Sequence, residues 1–138
     1  MNKILIIDDE ATIRKLFIRL LARDKYKVFT APNGKKGIET TRKNKPDLII
    51  LDLKMPEMDG IETLKRIKKF NEDVVVIVLT AYGTMETAGE AMKLGAYDFI
   101  SKPFDIERIR VSIKRALEMQ RLSEEVAKLR VKTGRKNK

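Results

Sequence analysis

Short β-branched runs alternate with longer amphipathic stretches along the whole chain, and this alternation limits the fold more than any other feature. Residues 3–7, 26–30, 47–51, 74–79 and 97–100 read as strands. The run 74–79 is almost continuous Val, Ile and Leu, the pattern of a strand covered on both faces. Between the strands, apolar residues recur at helical spacing. Ile13, Leu16, Phe17, Leu20 and Leu21 form one such stripe, and Ile61, Leu64 and Ile67 another. Ile38 anchors a weaker helix that starts at Asn33-Gly34, and Met85, Ala88 and Met92 mark a fourth helix that ends at Gly95. Pro103 closes a turn and Asp105 caps a fifth helix, whose Ile106, Ile109, Ile113 and Leu117 face the sheet. Five strands alternating with five helices predict an α/β domain: a doubly wound parallel sheet with right-handed crossovers and helices on both faces.

Composition removes several function classes. The chain contains no Cys, which excludes disulfides and thiolate metal sites, and no His, the commonest general base and zinc ligand. No apolar run reaches the roughly 18–20 residues that span a bilayer. The apolar run 4–7 passes directly into Asp8-Asp9-Glu10 without a cleavage site. We therefore expect no signal peptide, no membrane segment and a cytoplasmic location. The net charge is +10, and half of it comes from Arg130, Lys132, Arg135, Lys136 and Lys138 at the basic end. A terminal run of this kind reads first as a solvated, frayed end.

The polar residues that carry chemistry fall where the strands end. Asp8 and Asp9 follow the first strand, Asp52 the third, Thr80 the fourth and Lys102 the fifth. Doubly wound sheets bind ligands beyond the carboxyl ends of their strands, at the switch in strand order. Each residue alone has an ordinary explanation as a cap or a turn residue. Together they deliver three carboxylates, a hydroxyl and an ammonium to one sheet edge. Carboxylates in close proximity repel unless cations intervene. Lys102 supplies one positive charge, and an all-oxygen donor set suits Mg²⁺ or Mn²⁺ rather than zinc. Mg²⁺ shared between carboxylates and phosphate oxygens suggests phosphoryl chemistry, with a carboxylate as the nucleophile. A carboxylate is already ionised at neutral pH, so the lack of His is consistent with this chemistry.

These segments carry a resemblance. Ile6-Ile7-Asp8-Asp9-Glu10, then Leu51-Asp52-Leu53-Lys54-Met55-Pro56-Glu57-Met58-Asp59-Gly60, then Leu79-Thr80-Ala81 and Ser101-Lys102-Pro103-Phe104, in this order, resemble the receiver domain of two-component response regulators over residues 3–117. The resemblance implies a flavodoxin-like receiver fold, with strand order 2-1-3-4-5 and an extended C-terminal helix. It implies that Asp52 is the phosphoacceptor and that Asp9 ligates the metal directly. Asp8 would act directly or through water, and the backbone carbonyl of Lys54 would complete the set with Asp52. It further implies that Thr80 is the switch hydroxyl, Phe99 the switch aromatic and Lys102 a contact to a phosphoryl oxygen. The Lys102–Pro103 bond is expected to be cis, and Ala81 to leave room for the phosphoryl group. The implied phosphodonor is a histidine kinase or phosphotransfer protein, and the implied output face is made by the fourth helix, fifth strand and fifth helix. Lys54 and Tyr82 flank the acceptor and are expected to hinder an attacking water.

Thr80-Ala81-Tyr82-Gly83 and Gly95-Ala96-Tyr97-Asp98-Phe99 resemble receivers of the nitrogen-regulation (NtrC-type) class. The organisation is thus read as a receiver domain over 1–117, followed by a helical extension and basic tail over 118–138. Met119, Leu122, Val126 and Leu129 fall at a and d positions of a heptad pattern, a short coiled-coil seam. The seam either pairs two copies as a homodimer or folds back onto its own domain. The chain carries no P-loop and no helix-turn-helix pattern. It is read as a single receiver that docks on a partner or as a fragment of a larger transcriptional activator, with direct nucleic-acid binding not expected. A dehalogenase-type hydrolase is disfavoured, because its Asp-x-Asp nucleophile pattern after the first strand is absent here.

Overall fold

The computed structural model describes residues 2–81 and 83–133, with residues 131–133 described by backbone alone. In chain order the elements are β1 (Lys3–Ile7), α1 (Ala11–Arg23), β2 (Lys27–Ala31), α2 (Gly34–Asn44), β3 (Leu48–Leu51), α3 (Gly60–Phe70), β4 (Val75–Thr80), α4 (Met85–Lys93), β5 (Asp98–Ser101) and α5 (Ile106–Thr133). All four strand pairings are parallel, and the order is β2-β1-β3-β4-β5. The α/β reading of the sequence and the expected strand order both hold. Strand limits differ from the sequence reading by one residue at β2 to β5, because apolar content does not mark where the ladder starts.

The sheet separates two apolar layers. Ile4, Ile6, Leu48, Ile50, Ile77 and Leu79 point to one face, where Phe17 and Leu21 of α1 and Ile109, Ile113 and Leu117 of α5 cover them. Leu5, Ile7, Ile49, Leu51, Val76 and Val78 point to the other face, under Leu64 and Ile67 of α3 and Ala91 of α4. This alternation follows from the period of two along each strand, and burial on both faces explains why β3 is apolar throughout and β1 and β4 are apolar except for Lys3 and Thr80 at their ends.

Helix starts follow local chemistry. Asn33 accepts the Lys36 N–H at 2.9 Å and Asp59 accepts the Glu62 N–H at 2.9 Å, the N-cap arrangement for α2 and α3. Thr84 and Thr87 cap α4 reciprocally. Asp105 accepts the Glu107 N–H at 2.9 Å at the start of α5. Gly95, with φ +102°, follows the C-cap of α4 in the left-handed region that favours glycine.

Two side-chain expectations are corrected. The apolar face of α4 was expected at Met85, Ala88 and Met92. Instead Ala91 is buried, while Met85 is 94% and Met92 45% exposed. In α5, Ile106 is exposed, and Ser112 and Ala116 join Ile109, Ile113 and Leu117 on the buried side. Periodicity identifies a helix, but the neighbours decide which arc of it is covered. α5 then continues as one unbroken helix past the domain. The seam residues Met119, Leu122, Val126 and Leu129 are 44–60% exposed, so the seam does not fold back onto its own domain.

Candidate functional site

The site lies at the carboxyl edge of the sheet, at the crevice where strand order reverses between β1 and β3. Parallel pairing extends one residue past the strands and fixes the backbone of each site residue. The Asp8 N–H donates to the Ala31 carbonyl at 3.1 Å and the Asp52 N–H to the Ile7 carbonyl at 3.0 Å. The Lys102 N–H donates to the Thr80 carbonyl at 2.9 Å. The ends of β1, β3 and β5 are thus each fixed by backbone bonds to a neighbouring strand along one sheet edge.

The side chains then converge. Carboxylate oxygens of Asp8, Glu10 and Asp52 lie within 4.8 Å of one another. The Lys102 ammonium sits among them, with Nζ 3.0 Å from Asp8 Oδ2, 3.3 Å from Glu10 Oε1 and 3.6 Å from Asp52 Oδ2. Asp8, Asp52 and Thr80 are buried. Burial pushes the Asp8 carboxyl above its ordinary value, although the Glu10 N–H and Lys102 both stabilise the anion. Burial pulls the Lys102 ammonium down, but its bond to Asp8 and the charges of Asp8, Asp52 and Glu10 outweigh this, and its pKa is raised. The two shifts have different causes: burial raises Asp8, whereas the surrounding acids raise Lys102 against the effect of burial.

Glu10 is the residue that sequence reading missed as a member of this group. It occupies the N-cap position of α1, yet its side chain makes no capping bond and turns to Lys102 instead. The only sequence signal was its place as the third acid of the run 8–10. Asp9, expected as a metal ligand, is exposed and lies outside the three-carboxylate group. Arg14 donates to the Asp8 carbonyl at 2.7 Å and ties α1 to the same corner.

The β3–α3 loop wraps the acceptor candidate. The Lys54 N–H donates to Asp52 Oδ1 at 3.2 Å and the Gly60 N–H to the Leu53 carbonyl at 2.7 Å. A Cβ at Gly60 would fall 2.3 Å from Leu53 Cα and 2.5 Å from the Asp52 carbonyl oxygen, so only glycine lets α3 start this close to the site. Thr80 ends β4, next to the strand that leads to Lys102. Phe99 is half-buried in β5, and a Cβ at Gly83 would sit 2.7 Å from its ring. The Lys102–Pro103 peptide is cis, as expected. Tyr82, invoked above, lies outside the described residues.

The family model of the response regulator receiver domain matches residues 4–114 of this chain. The chain belongs to the response regulator receiver family. The receiver is 43% identical over 119 residues to sporulation initiation phosphotransferase F of Bacillus subtilis (strain 168), covering 86% of this chain and 96% of that protein. It is 36% identical over 129 residues to the regulatory protein AtoC of Escherichia coli (strain K12). That match covers 94% of this chain but only 28% of AtoC. Among solved structures, NtrX from Brucella abortus superposes with a TM-score of 0.90 at 35% identity, over all of this receiver and 32% of the NtrX chain. The receiver thus has relatives of its own size and NtrC-type relatives of which it spans about a third or less. No helix among the described residues is long and apolar enough to cross a membrane.

Proposed function

We propose that this receiver accepts a phosphoryl group on Asp52 from a histidine kinase or phosphotransfer protein and, in response, changes a surface read by a partner. The observation that carries this reading is the convergence of buried Asp8 and Asp52, with exposed Glu10 at the rim, around Lys102 at the switch point of the sheet. An Asp52 oxygen attacks phosphorus as the bond from phosphorus to the donor nitrogen breaks, and that nitrogen keeps the electron pair. The carboxylate needs no base to remove a proton, which fits a chain without His.

The donor set fits a hard divalent cation. It is all oxygen, and one ammonium leaves the three carboxylates with two uncompensated charges. Mg²⁺ or Mn²⁺ would be held by Asp8, Asp52, the Lys54 carbonyl and Asp9 after a change of side-chain rotamer, with Glu10 at the rim. When bound, the metal supplies positive charge opposite the phosphoryl oxygens. Lys102 supplies the second positive contact, released from Asp8 toward the new phosphate. Thr80 follows as the switch hydroxyl and Phe99 as the switch aromatic, shifting a pre-existing equilibrium between two conformers of the α4–β5–α5 face.

Residues 1–117 act as the receiver, and 118–138 as helical extension and basic tail. The exposed α5 seam pairs two copies in a short parallel coiled coil. The protein works in the cytoplasm. A second reading rests on the NtrC-type relatives and the long α5: the chain is the receiver portion of a larger transcriptional activator.

Incubation with a small-molecule phosphodonor, with and without Mg²⁺, checks the chemistry by intact mass. The parent is expected to gain one phosphoryl group only with Mg²⁺, and Asp52→Asn none. Lys54→Ala and Tyr82→Ala are expected to lose the group faster than the parent. Equal labelling of Asp52→Asn and parent would overturn the assignment.

A further inference from the structure

Outside the basic end, α2 and α3 together hold a dense concentration of positive charge. Residues 34–45 and 60–70 carry nine Lys and Arg against Glu39 and Glu62, whereas the chain as a whole has a net charge of +10. In sequence these are two separate segments. In the structure α2 and α3 pack side by side over the same sheet face, close enough that a Cβ at Gly34 would meet Thr63 Oγ1 at 2.3 Å. Among the described residues, the side chains of Lys35, Lys43, Lys45, Lys65 and Lys69 make no ion pair or hydrogen bond. Such a concentration of like charge destabilises a fold slightly and attracts anions.

Between the two helices runs a groove of about 450 Å³. Ile38, Met58 and Phe70 give it an apolar floor, and Arg42, Arg66 and Lys69 stand around it. Phe70 is 40% exposed at the end of α3, with the Arg42 guanidinium over its ring at 4.8 Å. An apolar floor inside a cationic rim is complementary to an amphipathic segment with acidic flanks. It is poorly matched to nucleic acid, since the aromatic face a base would stack on is already covered by Arg42 and Glu39 lines the same groove.

We propose that the α2–α3 groove is a docking site for an acidic amphipathic helix of a protein partner. Its apolar side chains would enter between Ile38, Met58 and Phe70, and its carboxylates would meet Arg42, Arg66 and Lys69. This surface lies on the α3–α4 side of the sheet, whereas α5 and its seam lie on the other. It is therefore available while the seam is paired. Met58, at one end of the groove, belongs to the loop that follows Asp52, so occupancy and the state of the site share a structural element.

The test uses a fluorescent helical peptide of about four turns, with Leu at i, i+3, i+4 and i+7 and Glu on both flanks. Anisotropy titrations against the full chain are run at about 50 mM and 200 mM salt, where screening differs most for surface charges. The parent is expected to bind, more weakly at the higher salt. Arg42→Glu and Lys69→Glu are expected to weaken binding at least about tenfold, and Phe70→Ala to weaken it at both salt levels. Thermal unfolding of each variant verifies that it is folded. For any variant that is not, amide shifts in the parent serve instead, and they are expected to move in 35–45, at Met58 and in 65–70. The proposal is overturned by no binding to the parent, by unchanged binding in the charge-reversed variants, by shifts centred elsewhere, or by short duplex DNA displacing the peptide. None of these results depends on phosphorylation of Asp52.

Discussion

Asp98, at the start of β5, shows how much one residue gathers in this protein. Its carboxylate accepts from the Ser112 hydroxyl at 2.7 Å, from the Phe99 N–H at 2.8 Å and from Arg108 Nη1 at 3.1 Å. It thereby pins α5 to the strand that carries Phe99. Burial works against its charge, but these donors win, and its pKa lies below the ordinary Asp value. Because the folded pKa is the lower one, the stabilisation is fully present above the unfolded pKa and is lost as pH falls through the folded pKa. Asp98→Asn is therefore expected to cost on the order of 1 kcal/mol near neutral pH, a figure kept small by the half-exposed Arg108. The deficit should shrink steadily below about pH 4, where the parent loses its own advantage. Urea unfolding of both proteins across the acid range measures it, and a gap independent of pH would remove the explanation. At the same scale, Asp8, Asp9 and Glu10 are three adjacent acids whose side-chain directions the sequence does not show. The backbone turn into α1 buries the first, exposes the second and aims the third at Lys102.

At the level of the element, α5 does two different jobs along its length. Up to Leu117 it is a core helix, with Ile109, Ser112, Ile113 and Ala116 buried. Beyond that point its apolar residues face outward, and Gln120 Nε2 anchors the change of role by donating to the Asp47 carbonyl at 2.9 Å. Arg121 bridges Glu118 and Glu125 along the helix surface, which supports an exposed helix without a partner layer. An exposed a/d stripe of this kind contributes nothing until it is covered. About one and a half heptads is short, so pairing should be weak and concentration-dependent. Replacing Leu122 and Val126 together by Glu is expected to abolish the dimer, read as a monomer mass by sedimentation, while leaving the unfolding midpoint of the domain almost unchanged. A parent that stays monomeric at high concentration would leave the seam without that role.

For the molecule as a whole, the price of the site is electrostatic strain. Buried Asp8 and Asp52 and exposed Glu10 share the Lys102 ammonium, an arrangement consistent with a divalent-cation site. In chelator, Asp52→Asn keeps the Asp8–Lys102 pair and removes one repelling charge, so it is expected to be more stable than the parent by on the order of 1 kcal/mol. Added Mg²⁺ stabilises the parent by mass action, and the gap should close or reverse. Denaturant unfolding with and without Mg²⁺ decides this. A parent at least as stable as Asp52→Asn without metal would show that the carboxylates do not strain one another.

The order of strands and helices, the strand-end positions of Asp8, Asp52, Thr80 and Lys102, the helix start at Asn33-Gly34 and the cap at Asp105 were readable from sequence, because they depend on periodicity and on chemistry within a few residues. A parallel sheet turns such spacing into proximity: strand ends of similar length in adjacent positions must meet at one edge. What depends on direction or on a distant neighbour was not readable. The turn of Glu10 toward Lys102, the burial of Ala91 rather than Met85 and Met92, and the outward seam of α5 are set by packing partners far away in the chain. The basic face of α2 and α3 belongs to the same class. Charge is a property of residues, but a charged surface exists only once two helices, separated by a strand and a loop, lie beside one another.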